Sequence, residues 1–95
     1  MYGLSDFLID EIVNFAKKHS LSSVILFGSR ARGDNKSRSD IDLAISGGDY
    51  DGFALDIDEE THTLLSFDIV NLDGNVQPAL QENIMRDGKV LYAKV

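Results

Sequence analysis

The sequence predicts an α/β (α+β) domain, a mixed sheet of about four strands packed with about four helices, and three observations carry that expectation. Val24-Ile25-Leu26-Phe27 is an apolar run stopped by Gly28-Ser29, the pattern of a buried strand entering a tight turn. Asp40-Ile41-Asp42-Leu43 alternates carboxylate and apolar residues, so on a strand Asp40 and Asp42 leave one face while Ile41 and Leu43 leave the other. Two flanking stretches keep helical spacing instead: Leu8, Ile12, Phe15 and Ala16 near the start, and Val76, Leu80 and Ile84 near the end.

Taken in order, Ser5 is a plausible N-cap for a first helix reaching about His19, with Asp6 in its first turn and Lys17, Lys18 and His19 at its end, where cations suit the helix dipole. The first strand covers residues 22–27 and the second 40–46, followed by a turn at Gly47-Gly48-Asp49. Whether these two strands run parallel is open, because the connection of residues 28–39 sits at the lower limit for a parallel crossover. Residues 50–65 are acidic, yet Phe53, Ile57, Thr61 and Leu64 keep helical spacing, which predicts a second long helix with a solvated acidic face. His62 is expected at the surface. The third strand lies within residues 64–72, with Asp68 flanked by Phe67 and Ile69. A buried carboxylate without a partner costs several kcal/mol. Asp68 therefore pairs with a cation, emerges at a solvent face, or joins Asp40 and Asp42 in a site. Asp73-Gly74 is a turn, Pro78 opens the last helix, Gly88 follows its end, and Val90 to Tyr92 form a closing strand.

Ninety-five residues, 43% hydrophobic with a single proline, are expected to make one domain spanning residues 1–95. A domain of this size buries about two-thirds of its unfolded surface, which leaves little chain for a lobe to grip an acceptor. The net charge of −7 argues against stable nucleic-acid binding, which needs a broad basic surface. There is no cysteine, hence no disulfide or thiolate chemistry. The start lacks a basic region followed by a long apolar segment, so a cytoplasmic protein without membrane attachment is expected.

The chemistry concentrates between Val24 and Leu43. Asp40 and Asp42 would have Cα atoms about 6–7 Å apart on a strand, close enough for both carboxylates to converge on one hard divalent cation or a pair. Beside them lie Arg30, Arg32, Lys36 and Arg38, four of the nine lysines and arginines of the chain. Guanidinium forks bind phosphate oxygens in pairs, Ser29 and the amides of the turn can add hydrogen bonds, and Gly28 lets backbone approach a ligand closely. Since Mg2+ reaches proteins through one or two carboxylates plus substrate phosphates, the stretch reads as a Mg-nucleotide site. Each piece alone has an ordinary reading as a strand-to-turn junction, a solvated strand face or a charged loop. Their joint order and spacing favour the site.

Phe27-Gly28-Ser29 followed after ten residues by Asp40-Ile41-Asp42-Leu43 resembles the signature of the DNA-polymerase-β-like nucleotidyltransferase superfamily. Gly28-Ser29-Arg30-Ala31-Arg32-Gly33 with Ser39-Asp40-Ile41-Asp42 is similar to its minimal (MNT, MntA-like) branch, as is Ile84-Met-Arg-Asp-Gly-Lys-Val-Leu-Tyr92. The resemblance implies the nucleotidyltransferase fold, an antiparallel first strand pair and a short helix starting near Ser29. It also implies Asp68 as the third catalytic carboxylate. On this reading Asp40, Asp42 and Asp68 are catalytic and ligate two Mg2+ ions, while Gly28, Ser29, Arg30, Arg32, Lys36 and Arg38 bind ATP. Transfer of AMP to a tyrosine of a cognate HEPN-domain toxin, within a hetero-oligomer, is the implied antitoxin activity. The alternatives are a non-catalytic antitoxin that inhibits by contact, and an enzyme acting on a small molecule or nucleic-acid end.

Overall fold

The computed structural model describes residues 2–94. The chain runs α1 (Asp6–Lys18), β1 (Ser23–Phe27), α2 (Gly28–Arg32), β2 (Ile41–Ser46), α3 (Tyr50–Glu60), β3 (Phe67–Asn71), α4 (Pro78–Asp87) and β4 (Lys89–Ala93). The sheet order is β3-β2-β1-β4. β1 pairs antiparallel with both β2 and β4, and β2 pairs parallel with β3. The sheet is therefore mixed, and the orientation that spacing left open is antiparallel, with the connection folding into the short α2.

Strand alternation sorts the sheet into two unequal faces. Val24 and Leu26 of β1 and Ile41, Leu43 and Ile45 of β2 join Leu8, Ile12 and Ala16 of α1 and Phe53 and Ile57 of α3 in the larger core. The opposite face has a much smaller core, in which Phe27, Ala44 and Ile84 are packed with Ile25, Val70, Leu72 and Leu80. Period 2 puts Asp42 on that second face with Ala44, and Asp68 there with Val70. The two carboxylates thus share the face on which α4 packs.

Local signals explain most boundaries. Ser5 caps α1 by accepting a hydrogen bond from the Leu8 amide at 3.1 Å, and Pro78 occupies the first turn of α4, where a missing N–H costs nothing. α2 ends at Gly33, whose φ of 85° is left-handed and suits glycine. The predicted extension of α3 to residue 65 is not observed. Glu59 and Glu60 are the last residues of α3, which has no basic side chain in its last turn, an unfavourable charge for a helix C-terminus. The Thr61 hydroxyl donates to the Ile57 carbonyl at 2.7 Å as the backbone turns extended. Leu64, expected on the apolar stripe, lies beyond the helix and is fully exposed.

Candidate active site

β1, β2 and β3 bring their functional residues to one end of the sheet. Phe27 pairs with Asp42 across β1 and β2, and Asp42 pairs with Asp68 across β2 and β3. Three register partners thus form a row, with Cα spacing of roughly 5 Å between neighbouring strands. Asp40 is the residue just before β2. Gly28 directly follows Phe27, with φ of 75°, and a Cβ built on it would collide with the Asp42 carboxylate. Glycine is needed there both for the left-handed turn and for the closeness of Asp42 to the backbone.

The row is electrostatically strained. Asp42 has its pKa raised, first by burial and then by the negative charges of Asp68 and Asp40, with Arg32 and Arg30 pulling it partly back. Such crowding favours a group that neutralises charge at this point. Among the described residues, no three or more His, Cys, Asp or Glu side chains form a ready-made metal cage. Mg2+ needs none, since it keeps several waters and takes one or two carboxylates together with phosphate oxygens. An all-oxygen donor set of Asp42, Asp68 and Asp40 suits that ion and would suit softer metals poorly.

Of the residues expected to hold the nucleotide, Gly28 and Ser29 lie at the start of α2, beside Asp42. Arg32 is exposed, makes a 3.3 Å ion pair with Asp34, and acts electrostatically on Asp42. Lys36 and Arg38 are exposed on the connection before Asp40. Arg30 departs from the expectation. It is 1% exposed, and its guanidinium donates to the carbonyls of Ser39 (2.9 and 3.2 Å), Ser37 (3.2 Å), Tyr2 (3.3 Å) and Gly3 (3.3 Å). These bonds engage its donors, so Arg30 organises the loop behind Asp40 rather than offering a fork to phosphate. The alternation of Arg30 and Arg32 on a short helix turns one inward and one outward, a distinction that a basic run does not reveal.

Sequence reasoning missed the other wall of the site. Arg38, Asp40, Leu64, Leu65 and Ser66 line a cavity of about 360 Å3. The segment carrying Leu64 is tethered upstream by His62: its backbone N–H donates to Glu11 Oε1 at 3.1 Å, and its Nδ1 lies 2.8 Å from Glu11 Oε2. Burial raises the Glu11 pKa, but the hydrogen bonds and charge from His62 outweigh it and leave the group lowered. A carboxylate reaching from α1 to a histidine 51 residues away has no local sequence signature. His62 itself is exposed.

A glycine turn beside a row of carboxylates on a four-stranded mixed sheet fits the class of nucleotide-transferring enzymes. The chain belongs to the Polymerase beta nucleotidyltransferase family, which matches residues 10–95. It is 35% identical over 96 residues to the "Putative protein adenylyltransferase MJ0604" of Methanocaldococcus jannaschii, covering 88% of this chain and 94% of that protein. Among solved structures, it resembles a toxin-antitoxin with AMP-PNP (TM-score 0.71, 22% identity, 90% of this chain and 73% of that chain). A mutant MntA-HpeT toxin-antitoxin is similar in fold (TM-score 0.70, 20% identity, 90% and 73% coverage).

Proposed function

We propose that this protein transfers AMP from ATP to a hydroxyl group, most specifically a tyrosine, of a partner HEPN-type toxin, and thereby acts as its antitoxin in the cytoplasm. The observation that carries the reading is the in-register row of Asp42 and Asp68, flanked by Asp40 and set against the Gly28 turn. Asp40, Asp42 and Asp68 would hold Mg2+, which when bound neutralises phosphate charge and stabilises the attacking and leaving oxygens. Gly28 and Ser29 would contact the phosphates, with Arg32, Lys36 and Arg38 supplying positive charge around them. The acceptor oxygen forms a bond to the α-phosphorus, the bond from that phosphorus to the bridging oxygen breaks, and pyrophosphate leaves. Asp68, exposed at the outer strand, would take or guide the proton of the acceptor hydroxyl. The relative named a protein adenylyltransferase supports the type of transfer, and the toxin-antitoxin neighbours support the kind of partner.

Adenylylation would place bulk and negative charge where an RNase must admit an RNA backbone. Co-expression with the product of the adjacent gene, followed by intact-mass measurement, tests the proposal. The partner should gain one or more AMP units with the wild-type protein and none with Asp42→Asn. A partner that stays unmodified yet is inhibited by both versions would establish inhibition by contact instead.

A further inference from the structure

The cavity beside Asp40 is lined by residues that precede β2 and β3, whereas the glycine turn follows β1. β1 runs antiparallel to β2, and β2 runs parallel to β3, so the end of β1 and the starts of β2 and β3 meet at one end of the sheet. With the order β3-β2-β1, the Gly28 turn flanks Asp42 on the β1 side. The cavity lined by Arg38, Asp40, Leu64, Leu65 and Ser66 opens at the starts of β2 and β3, across the carboxylates from that turn. In-line displacement puts the nucleophile opposite the leaving group. If pyrophosphate leaves along the glycine turn, the nucleophile arrives from the cavity side.

The walls of the cavity fit a particular nucleophile. Leu64 and Leu65 make its lining largely apolar, while Asp40, Ser66 and Arg38 supply polar groups. Leu64 is fully exposed although its segment is held in place: His62 binds Glu11, and the Leu65 amide donates to Thr63 Oγ1 at 3.1 Å. An apolar side chain turned wholly to solvent on a tethered segment, next to a reacting centre, leaves apolar area to be covered when a substrate binds. A second exposed apolar side chain meets His62, two residues before Leu64 in the chain. Phe7, 61% exposed, meets the His62 ring edge-on at 5.5 Å between centroids.

We infer that this cavity is the acceptor subsite, and that Leu64 and Leu65 receive the aromatic ring of a protein phenol whose hydroxyl is directed towards Asp40 and its neighbouring carboxylates. The inference rests on the transfer reading above and names where its acceptor binds. The ring gains apolar contact on leucine, and the hydroxyl end meets the polar groups. In the transfer, the phenolic oxygen forms the bond to the α-phosphorus, its proton passes to a carboxylate or to water, and pyrophosphate departs on the opposite side.

The probe for this site is N-acetyltyrosinamide, titrated into the protein with Mg2+ and α,β-methylene-ATP, an analogue that cannot release pyrophosphate. Methyl NMR should show saturable shifts at Leu64 and Leu65. Leu64→Asn, at a position that contributes no core packing, should keep the thermal stability of the wild type. It should weaken the probe about tenfold, a decade being ~1.4 kcal/mol, and leave the affinity for the nucleotide analogue unchanged. Absence of shifts at these leucines would overturn the assignment. So would a Leu64→Asn protein that loses nucleotide affinity and keeps the probe, because the cavity would then hold the adenine base. Probe binding that persists in a protein which transfers AMP to no acceptor would uphold the subsite while refuting the transfer activity.

Discussion

Arg30 and Asp42 sit close in the fold and carry opposite consequences. Arg30 is a buried cation whose five hydrogen bonds all end on backbone carbonyls, so removing it strands acceptors on two chain segments at once. Arg30→Met should destabilise the fold by ~3 kcal/mol, given ~1–3 kcal/mol for each buried polar group left unsatisfied and partial relief by water. Urea denaturation measures this, and a loss below about 1 kcal/mol would show that water replaces the guanidinium readily. Asp42 should behave in the opposite way. Burial and the charges of Asp68 and Asp40 disfavour its ionised form, so the folded chain bears a cost at neutral pH that the unfolded chain does not. Asp42→Asn should raise the Tm of the metal-free protein by a few degrees, where ~1 kcal/mol corresponds to ~4–8 °C, while abolishing AMP transfer. A variant that melts lower than the wild type in the absence of Mg2+ would contradict that balance. The sequence placed Asp42 near Asp40, and the two carboxylates do interact, although Asp40 lies just before β2 rather than in it. It misassigned Arg30, because whether a guanidinium in a basic run turns inward depends on carbonyls at Tyr2, Gly3, Ser37 and Ser39 that only the folded chain assembles.

Between elements, α1 and α3 are joined by a charged latch. His19 Nε2 lies 2.6 Å from Asp56 Oδ2, and Lys18 Nζ lies 2.9 Å from the same oxygen. His19 Nδ1 also faces Asp49 at 3.7 Å. The hydrogen bond from His19, then that from Lys18, holds the Asp56 carboxyl below the usual carboxylate range. The folded state therefore binds the Asp56 proton less readily than the unfolded chain does. Its stabilisation is fully present above the unfolded value of ~3.9 and is lost as pH falls through the lower folded value. Asp56→Asn should lower the Tm at pH 7, and the gap from the wild type should close as the pH is taken well below 4. A gap independent of pH would assign the loss to packing rather than charge. None of this latch was visible in the sequence: the cations at the end of α1 suited the helix dipole, and their partner lies 37 or 38 residues away. Helix periodicity likewise ran too far at α3. Thr61 and Leu64 fit the stripe, but the glutamates at its end and the Thr61 back-bond stop the helix, and Leu64 moves from predicted core to the lip of the cavity. The elements themselves, including β1, β2 and the closing α4-β4 pair, followed directly from apolar spacing and turn residues.

For the molecule as a whole, the balance of charge decides how a nucleotide can bind. The chain carries a net charge of −7, so ATP would approach an acidic protein, and Arg32, Lys36 and Arg38, with the buried Arg30, would offset that field near the site. Mg2+ alone meets carboxylates that do not form a closed cage, and an incomplete donor set binds a strongly hydrated ion weakly. ATP alone adds negative charge beside Asp40, Asp42 and Asp68. Together they would remove both obstacles: the phosphates would complete the coordination of the ion, and the ion would screen the phosphates from the carboxylates. Binding to the folded state alone stabilises by RT ln(1 + [L]/Kd), ~2.7 kcal/mol at a hundredfold excess over Kd, which for a domain of this size is a rise of roughly 10 °C or more. Mg2+ and α,β-methylene-ATP together should therefore raise the Tm well beyond the sum of their separate shifts, and Asp42→Asn should lose most of the excess. Differential scanning fluorimetry across the four combinations of metal and nucleotide reads this directly. Additive shifts, or an undiminished excess in Asp42→Asn, would show that metal and nucleotide do not meet at the carboxylate row.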